Sequence, residues 1–368
     1  MKENTDNLLY TLALSYIPGL GNSTLRKILS SEHTAQNLWQ LSTKEKNSLP
    51  DINSKILDKI GSEKYLELAN SEIEIMKSRD ISAHCITDAS YPALLRNCKD
   101  APYILFTRGS IDWVQKKQVA IVGTRKMSLR SKEFIHELVE GCKNLPISIN
   151  SGLAFGVDAE AHRAALDNGL QTVAVVAHGL DKIFPKTNLP LGREILQQGG
   201  LISEFSTFHA PERENFKRRN RIIAGISHAT IVVESDYKGG AMSTASYASQ
   251  YQRTLFAVPG RPNDHSQRGC HRLLKNQQAM LITEPADLLQ FLEFSSAKSS
   301  KPRQATIPLE FTPEESEIYQ FLSQNGKMHI DDIAIALQTP TYRILPIMLQ
   351  LEMKNAVRAY GGRMYEIG

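Results

Sequence analysis

Several features that would each define a class of protein are absent from the 368-residue sequence. Its four cysteines form no C-x-x-C pair and no His-rich metal spacing accompanies them, so we expect free thiols and no metal. There is no G-x-G-x-x-G dinucleotide motif, no Walker loop and no G-x-S-x-G nucleophile elbow. No run of about 18 apolar residues and no secretory signal pattern is present. We therefore expect a cytoplasmic protein without a membrane span or a cofactor.

The composition is that of a folded chain with more than one domain. Of its residues, 41% are hydrophobic and 22% are charged, and the length suggests two or three domains. Residues 86–294 carry 25 Lys and Arg against 20 Asp and Glu, whereas residues 306–368 carry 5 against 8. The positive middle is the expected place for a polyanion, although this surplus is also ordinary for a solvated surface.

Residues 1–80 are predicted to form a small helical domain. The turn Pro18-Gly19-Leu20-Gly21 separates two helical patterns, and Asn22 or Ser23 can cap the second. Such a turn is typical of helix-hairpin-helix units, in which amides at a helix N-terminus face a DNA phosphate. It is also typical of a plain helical turn that uses glycine for a positive φ, which the acidic balance of this segment slightly favours.

Residues 81–294 are predicted to form a doubly wound, mostly parallel α/β sheet, because short apolar runs alternate with helical patterns. The predicted strands are Val119–Val122, Ile147–Asn150, Thr172–Ala177, Leu201–Ser203, Thr230–Glu234, Thr254–Val258 and Ala279–Ile282. The predicted helices are Leu129–Lys143, Gly156–Asn168, Leu189–Gln198, Asn220–Ile226, Gly240–Gln250 and Gly269–Lys275. Ligands of such sheets bind beyond the carboxyl ends of the strands.

The C-terminal part is predicted to be a winged helix joined by a linker. Residues 295–305 are polar and rich in Ser and Lys, which indicates a flexible linker. Residues 306–368 contain three helical patterns and a hairpin signal around Gly361-Gly362. The helical patterns are Glu314–Ser323, Ile330–Leu337 and Thr341–Lys354. The third has few donors for reading a DNA groove, so a protein-contact or structural role is at least as well supported as DNA binding.

The loop after the first predicted strand is Gly123-Thr124-Arg125-Lys126-Met127-Ser128. A glycine here lets the backbone approach a ligand, Thr124 and Ser128 provide hydroxyls, and Arg125 provides a guanidinium suited to phosphate. The following helix can direct its N-terminus at the same anion. An ordinary strand-helix turn with an exposed arginine explains this loop equally well.

The loops after the second and third strands place small residues and a cation at the same edge. They contribute Ser151 and Gly152, then His178 and Gly179, and then Lys186. His178 could serve as a general base. A histidine beside glycine without a carboxylate partner is more often a hydrogen-bonded turn residue.

The segment Pro211–Arg221 is strongly basic and ends in Arg219, Asn220 and Arg221. Cations at a helix N-terminus repel the helix dipole, so helix stability does not explain them. A phosphate partner explains them better, and so do specific buried acids such as Glu204 and Glu234.

The loop after the strand Thr230–Glu234 is again Gly-rich, with Gly239, Gly240, Ser243 and Thr244 before a helix. This arrangement predicts a second anion-binding loop, in addition to the loop after the first strand. No paired carboxylates and no Ser-His-Asp order accompany these loops, which favours binding over catalysis.

Five motifs of the sheet domain occur in one order along the chain. They are Ile121-Val122-Gly123-Thr124-Arg125, Ser151-Gly152-Leu153-Ala154-x-Gly156-Val157-Asp158, Gly179-Leu180-Asp181, Arg219-Asn220-Arg221-Ile222-Ile223-Ala224-Gly225 and Ala257-Val258-Pro259-Gly260. Together they resemble the DNA-processing protein A family, DprA, also called Smf. The resemblance covers about residues 80–290. The sterile-alpha-motif-like N-terminal domain and the winged helix of the family are matched by pattern only.

The resemblance implies a protein that binds single-stranded DNA, protects incoming strands during natural transformation and loads the recombinase RecA onto them. It also implies a homodimer formed through the sheet domain and no catalytic step. Arg125 and Lys186 match the family's main phosphate-contacting cations. The implied DNA pocket is lined by Gly123, Thr124, Arg125, Ser128, Ser151, Gly152, His178, Gly179, Lys186, Arg219, Asn220, Arg221, Gly239, Gly240, Ser243 and Thr244.

The sequence departs from the family pattern at several pocket positions, which leaves the base contacts open. The departures are Thr124 for Ser, His178 for a small residue, Phe184 for Tyr, Lys217 for Pro and Ala241-Met242 for a Ser-Leu type pair.

A related Rossmann-like family, the nucleoside-monophosphate phosphoribohydrolases, is the alternative. Those enzymes carry a P-G-G-x-G-T-x-x-E run, but here no proline precedes Gly239 and Tyr247 stands at the position of the glutamate. Catalysis of that kind is therefore disfavoured. A nucleotide-binding regulatory module is a third, weaker interpretation.

Overall fold

The computed structural model describes residues 2–30, 34–46, 53–294, 311–354, 356–360 and 362–367. The chain divides into two compact units, Met1–Ser295 and Ser296–Gly368. The predicted linker, residues 295–305, lies outside the described residues. A separate domain boundary near residue 80 stays a prediction.

Short helices make up the described residues before the sheet. They are α1 Lys2–Ser15, α2 Asn22–Ser30, α3 Ala35–Gln40, α4 Thr43–Lys46, α5 Ser54–Leu57 and α6 Glu63–Arg79. The turn between α1 and α2 has Gly19 at a φ of +95°, where glycine is the favoured residue. Asn22 accepts a hydrogen bond of 3.1 Å from the Tyr103 amide, and Arg26 donates to the carbonyls of Cys98 and Lys99. This turn and α2 therefore pack on the segment that leads into the sheet.

The described residues include one nine-stranded sheet. Its strands are β1 Ile81–Cys85, β2 Ile104–Gly109, β3 Lys117–Val122, β4 Ile147–Ser151, β5 Gln171–Val175, β6 Gly199–Ser203, β7 Ala229–Val232, β8 Thr254–Ala257 and β9 Met280–Leu281. Their spatial order is β1-β2-β6-β5-β4-β3-β7-β8-β9. From β6 to β9 all neighbours are parallel, and at the centre Ala120 of β3 lies opposite Asn150 and Thr230. The predicted doubly wound, mostly parallel sheet is confirmed.

Two strands extend the sheet beyond the prediction. β2 pairs antiparallel with β6, and β1 pairs antiparallel with β2. Both come from residues 81–109, where no strand was expected.

The helices of the sheet region follow the predicted alternation. They are α7 Ala93–Arg96, α8 Leu129–Glu140, α9 Val157–Asp167, α10 Leu189–Gln198, α11 Arg213–Gly225, α12 Gly240–Gln250, α13 Arg268–Lys275 and α14 Pro285–Phe291, with 3-10 turns at Lys186–Asn188 and His265–Gln267. The prediction that a helix begins at Asn220 was wrong, because α11 begins at Arg213. The basic segment therefore lies within a helix and not in front of one.

The sheet buries both faces, as its alternating side chains require. On one face Val119 and Ile121 pack with α8, α9 and α14. On the other, Ala120 and Val122 share a core with α10 to α13 and with the N-terminal helices. The N-terminal helices and the sheet thus have one continuous hydrophobic core, which the hydrophobic effect stabilises.

A buried carboxylate ties the N-terminal helices to the sheet. Glu72 of α6 is 0% exposed and accepts hydrogen bonds of 3.0 Å from the Thr207 amide and 2.7 Å from its hydroxyl. Burial, and then the nearby Glu72 charge, raise the pKa of Tyr16, which directly follows α1. These contacts fix the loop after β6 on the helical layer.

The second unit has the predicted winged-helix elements. They are α15 Pro313–Asn325, β10 Met328–His329, α16 Ile330–Ala336, α17 Thr341–Met353, β11 Val357–Tyr360 and β12 Met364–Ile367. The strands pair antiparallel in the order β10-β12-β11, and Ile318, Ile333, Ile344 and Met348 lie in its core. A capping box between Thr312 and Glu315 begins α15. Gly361 of the hairpin signal lies outside the described residues.

Helices of the described ranges all fall short of the length and apolar character that crossing a bilayer requires.

Candidate functional site

The candidate site is the edge of the sheet at which its parallel strands end. Strands β5, β4, β3 and β7 are consecutive neighbours, so the loops that follow them lie side by side. Helix α11 connects β6 to β7 and passes over the face of the sheet between them. The structure thereby brings the predicted loops to one place, as expected for a doubly wound sheet.

The loop after β3 is held by its neighbours on both sides. The Thr124 amide donates to the Glu234 carbonyl at 2.7 Å, and the Thr124 carbonyl accepts from the Val157 amide at 3.1 Å. A Cβ atom on Gly123 would lie 2.6 Å from Val157 Cγ2. Glycine is therefore required here because the loops pack against each other, which adds a reason to the expected close approach of a ligand.

The Glu234 carboxylate anchors the start of α8. It accepts hydrogen bonds from the Ser128 amide at 3.0 Å, the Ser128 hydroxyl at 2.9 Å and the Ser131 hydroxyl at 2.7 Å. Burial alone would raise the pKa of Glu234, but these hydrogen bonds hold it below its ordinary value. Ser128, the N-cap of α8, is therefore engaged with Glu234 in this conformation.

Arg219 is a buried cation that joins three elements at this edge. Its side chain is 4% exposed, and Nη1 donates to the carbonyls of Gly152, at 2.6 Å, and Val175. The carboxylate of Asp158, in the first turn of α9, provides the opposing charge. A Cβ atom on Gly152 would lie 2.6 Å from the guanidinium carbon, so only glycine leaves room for Arg219.

The charge of this pair is set by its surroundings. Burial lowers the pKa of Arg219 to about 10, while Asp158 opposes the shift and Arg125 adds to it. Burial raises the pKa of Asp158, and Arg219 and the hydrogen bonds from Ala154, Ser151 and Gly152 oppose that shift. Arg219 is therefore positively charged at neutral pH, and Arg125 lies close enough for the two charges to interact.

Arg221 and Arg218 are directed at a buried acid. Both bind Glu204, whose side chain is 2% exposed, and the Arg218 contact is 3.2 Å long. The expectation that buried acids explain part of the basic segment is right for Glu204. Glu234, the other acid considered, binds serines instead. The guanidinium groups of Arg219 and Arg221 are thus engaged inside the chain, and their direct contact with a ligand stays a prediction.

Asn220 couples α11 to the start of α12. Its amide donates to the Ser243 hydroxyl at 2.8 Å and to the Gly240 carbonyl at 3.3 Å. Gly240 is exposed and Gly239 is half-buried, whereas Thr244 is buried. The N-terminal turn of α12 is therefore open to solvent at this edge.

His178 and Ser151 have structural surroundings. His178 is 1% exposed, and its Nδ1 lies 2.8 Å from the Gly179 carbonyl oxygen. Burial lowers the pKa of His178, and Lys182 and Arg219 lower it further, so the ring is neutral at neutral pH. The Ser151 hydroxyl donates to the Ile121 carbonyl at 2.6 Å. Among the described residues no carboxylate hydrogen-bonds His178, as an acid-base pair would need.

The exposed cations at this edge include Arg125, Lys126 and Lys186. Arg125 is exposed in the loop after β3, and Lys186 is exposed at the start of the 3-10 turn after β5. Within the described ranges, no group of three or more His, Cys, Asp or Glu side chains is placed to hold a metal ion. The edge therefore presents amides and cations to an anion.

Exposed aromatic rings lie at this edge, and of these the sequence had singled out only Phe184. Phe155, Phe184, Phe208 and Tyr237 are 42–48% exposed and lie in the loops after β4, β5, β6 and β7. The sequence did indicate these exposed rings, because an aromatic residue in a Gly-rich loop after a strand has no hydrophobic core to pack into.

Comparison with known proteins places the chain in a family. The model described as DNA recombination-mediator protein A matches residues 82–293, and the model of the DprA winged helix domain matches residues 300–363. The DNA processing protein DprA of Streptococcus pneumoniae is 33% identical over 75% of this chain and 95% of its own length. Protein Smf of Escherichia coli is 33% identical over 74% of this chain and 74% of its own length.

Solved structures give the same result. The X-ray structure of DprA from Streptococcus pneumoniae has a TM-score of 0.66 at 30% identity, over 77% of this chain and 97% of that one. DNA processing protein A from Helicobacter pylori is described for its single-stranded DNA binding mode. Its structure has a TM-score of 0.52 at 31% identity, and the match covers 58% of this chain and 95% of that one. The fold matches that of the DNA recombination-mediator protein A family, with the family's winged helix domain at the C-terminus. The chain belongs to the DprA/Smf family of DNA-processing proteins.

We expect Arg219→Met to lower the free energy of unfolding by about 3–5 kcal/mol, because it leaves Asp158 buried without its counter-charge. Arg218→Met is the matched control: its side chain is 56% exposed, and we expect a loss below about 1 kcal/mol. Urea unfolding measures both, and Asp158→Asn combined with Arg219→Met should cost less than Arg219→Met alone. Equal losses in the two single variants would contradict this account of Arg219.

Proposed function

We propose that this protein binds single-stranded DNA at the carboxyl edge of its sheet, as a non-catalytic mediator of natural transformation. The observation that carries the proposal is the group of exposed cations at this edge, with Arg125 and Lys126 in the loop after β3 and Lys186 in the loop after β5. The single-stranded DNA binding described for the Helicobacter pylori relative supports the same function.

The geometry of the edge fits a phosphate backbone better than a single small anion. Cations that follow a backbone, together with amides at the start of α12, bind phosphates without reading sequence. The charge of the buried Arg219 interacts with that of Arg125, so the positive charge of Arg219 adds to the attraction. We therefore expect weak sequence preference and strong salt dependence.

The acids and the histidine of this edge support a role in binding. Glu234 is hydrogen-bonded to serines, Glu204 forms an ion pair with Arg221, and the buried Asp158 interacts with the charge of Arg219, so these carboxylates have roles within the chain. Tyr247, at the position of the hydrolase glutamate, packs against Tyr251 with ring centroids 6.1 Å apart. These contacts favour a mediator over a phosphoribohydrolase.

Replacing both Arg125 and Lys186 by alanine should remove most of the affinity for a labelled single-stranded oligonucleotide. Because each phosphate contact contributes about 0.7 to the dependence of log affinity on log salt, the slope should fall by about 1.4 in the double variant. Lys116→Ala is the control, since Lys116 is partly exposed before β3 at the opposite edge. Fluorescence anisotropy over a salt series measures both quantities. Unchanged affinity and slope in a folded double variant would refute the assignment.

A homodimer through the sheet domain is part of the proposal. Strand β9 ends the sheet, and its two side chains, Met280 and Leu281, are 55% and 54% exposed. An apolar edge strand is a template for pairing with another chain. Light scattering should give twice the chain mass of 41.1 kDa, and Leu281→Glu should shift it toward one chain, whereas Val114→Glu at a 93% exposed site should not. A wild-type chain that stays monomeric at high concentration would count against the dimer.

Loading of RecA onto the bound strand is the last part of the proposal. We expect the protein to shorten the lag before RecA filaments form on a strand coated with single-strand-binding protein. The Arg125 and Lys186 double variant should not shorten it, because it no longer holds the strand. ATP hydrolysis by RecA reports the lag, and an equal lag with and without the wild-type protein would exclude this role.

A further inference from the structure

Large exposed aromatic side chains of the first unit are concentrated at the proposed DNA edge. Phe155 is 47% exposed after β4, and Phe184 is 42% exposed after β5. Leaving a phenylalanine in water forgoes about 1.5–3 kcal/mol of burial free energy, so folding alone gives no reason for these positions.

The other two exposed aromatics of this edge already have partners. The Phe208 ring lies 5.9 Å from the ring of Tyr16. The Tyr237 ring is covered by the guanidinium groups of Arg268, at 5.2 Å, and Arg272, at 5.5 Å. Both rings are therefore explained by contacts within the chain.

Phe155 has no such partner, and Phe184, which also has ring neighbours, is distinguished by its place beside Lys186 in the same loop. Throughout the described ranges, no aromatic ring or cation packs on Phe155. Phe184 is held between His178, at 6.4 Å, and Phe216, at 6.0 Å, yet a large part of it stays exposed. The His178 ring is nearly perpendicular to Phe184, with an interplanar angle of 81°. This support fixes the Phe184 ring, as a stacking surface requires.

Each of these two phenylalanines is in a loop that contacts or contains one of the exposed cations. Phe155 precedes Gly156, at which a Cβ atom would lie 2.7 Å from the carbonyl carbon of Arg125. The loops of Phe155 and Arg125 are thus in direct contact. Phe184 lies two residues before Lys186 in the same loop. This edge of the sheet therefore has an exposed phenylalanine and an exposed cation close together at two places, Phe155 with Arg125 and Phe184 with Lys186.

Resting on the proposed function, we propose that Phe155 and Phe184 are the platforms on which two unpaired bases of the strand stack. Every base has a flat π face, so stacking adds affinity without selecting a sequence. A duplex has its bases stacked internally and offers no free face to these rings, and the two phenylalanines therefore also provide the preference for single strands.

The experiment compares two labelled oligonucleotides of equal length and charge, oligothymidylate and its abasic counterpart. Phe155→Ala and Phe184→Ala in the full chain should each weaken binding to oligothymidylate by about 5- to 100-fold. Neither should change binding to the abasic strand or the slope against salt, because the phosphate contacts stay. Phe155→Trp should retain affinity, and its added indole fluorescence should be quenched by oligothymidylate and not by the abasic strand.

The possible results separate this inference from the proposed function. If the wild-type chain binds neither oligonucleotide, the proposed function fails and the stacking role with it. If it binds but the two alanine variants bind oligothymidylate as the wild type does, the stacking role alone is wrong. An equal loss on both strands would also overturn it, since it would show that the rings support the phosphate contacts. Val114→Ala, at an exposed site away from this edge, is the surface control.

Discussion

The buried guanidinium of Arg219 is the contact on which the proposed site depends. It comes from α11, yet it donates hydrogen bonds to the Gly152 and Val175 carbonyls at the ends of β4 and β5, and its charge interacts with Asp158 in the first turn of α9. A buried charge must be paired and hydrogen-bonded, so these elements can adopt only arrangements that satisfy it. The closeness of Gly152 to the guanidinium follows directly, and so does the placement of Arg125 in front of a second positive charge.

This constraint divides the basic residues of the edge into two groups. Arg219 and Arg221 are buried and determine the shape of the edge, whereas Arg125 and Lys186 are exposed and can bind an anion.

The winged helix has a surface of a different kind. Tyr342, Leu349 and Met353 of its third helix are 59–78% exposed, which fits a protein contact better than groove reading.

The sequence predicted the sheet well because buried parallel strands are continuous apolar runs, and Val119–Val122 is one. It missed β1 and β2, since residues such as Ser82 and Arg108 interrupt their apolar pattern and their pairing is decided by distant partners. The start of α11 was hidden because charged residues mask helical periodicity. The sequence offered both Glu204 and Glu234 as partners of the arginines, and only spatial neighbours far apart in the chain decide that Glu204 is the partner.

The most direct test is the affinity of the wild-type chain for a labelled single strand and for a duplex of equal length, across a salt series. We expect tighter binding to the single strand, with a log-log slope of about −2 to −3, because three or four phosphates are neutralised at about 0.7 each. No binding at low salt, together with release of free base from nucleoside monophosphates, would contradict the account and support the hydrolase alternative.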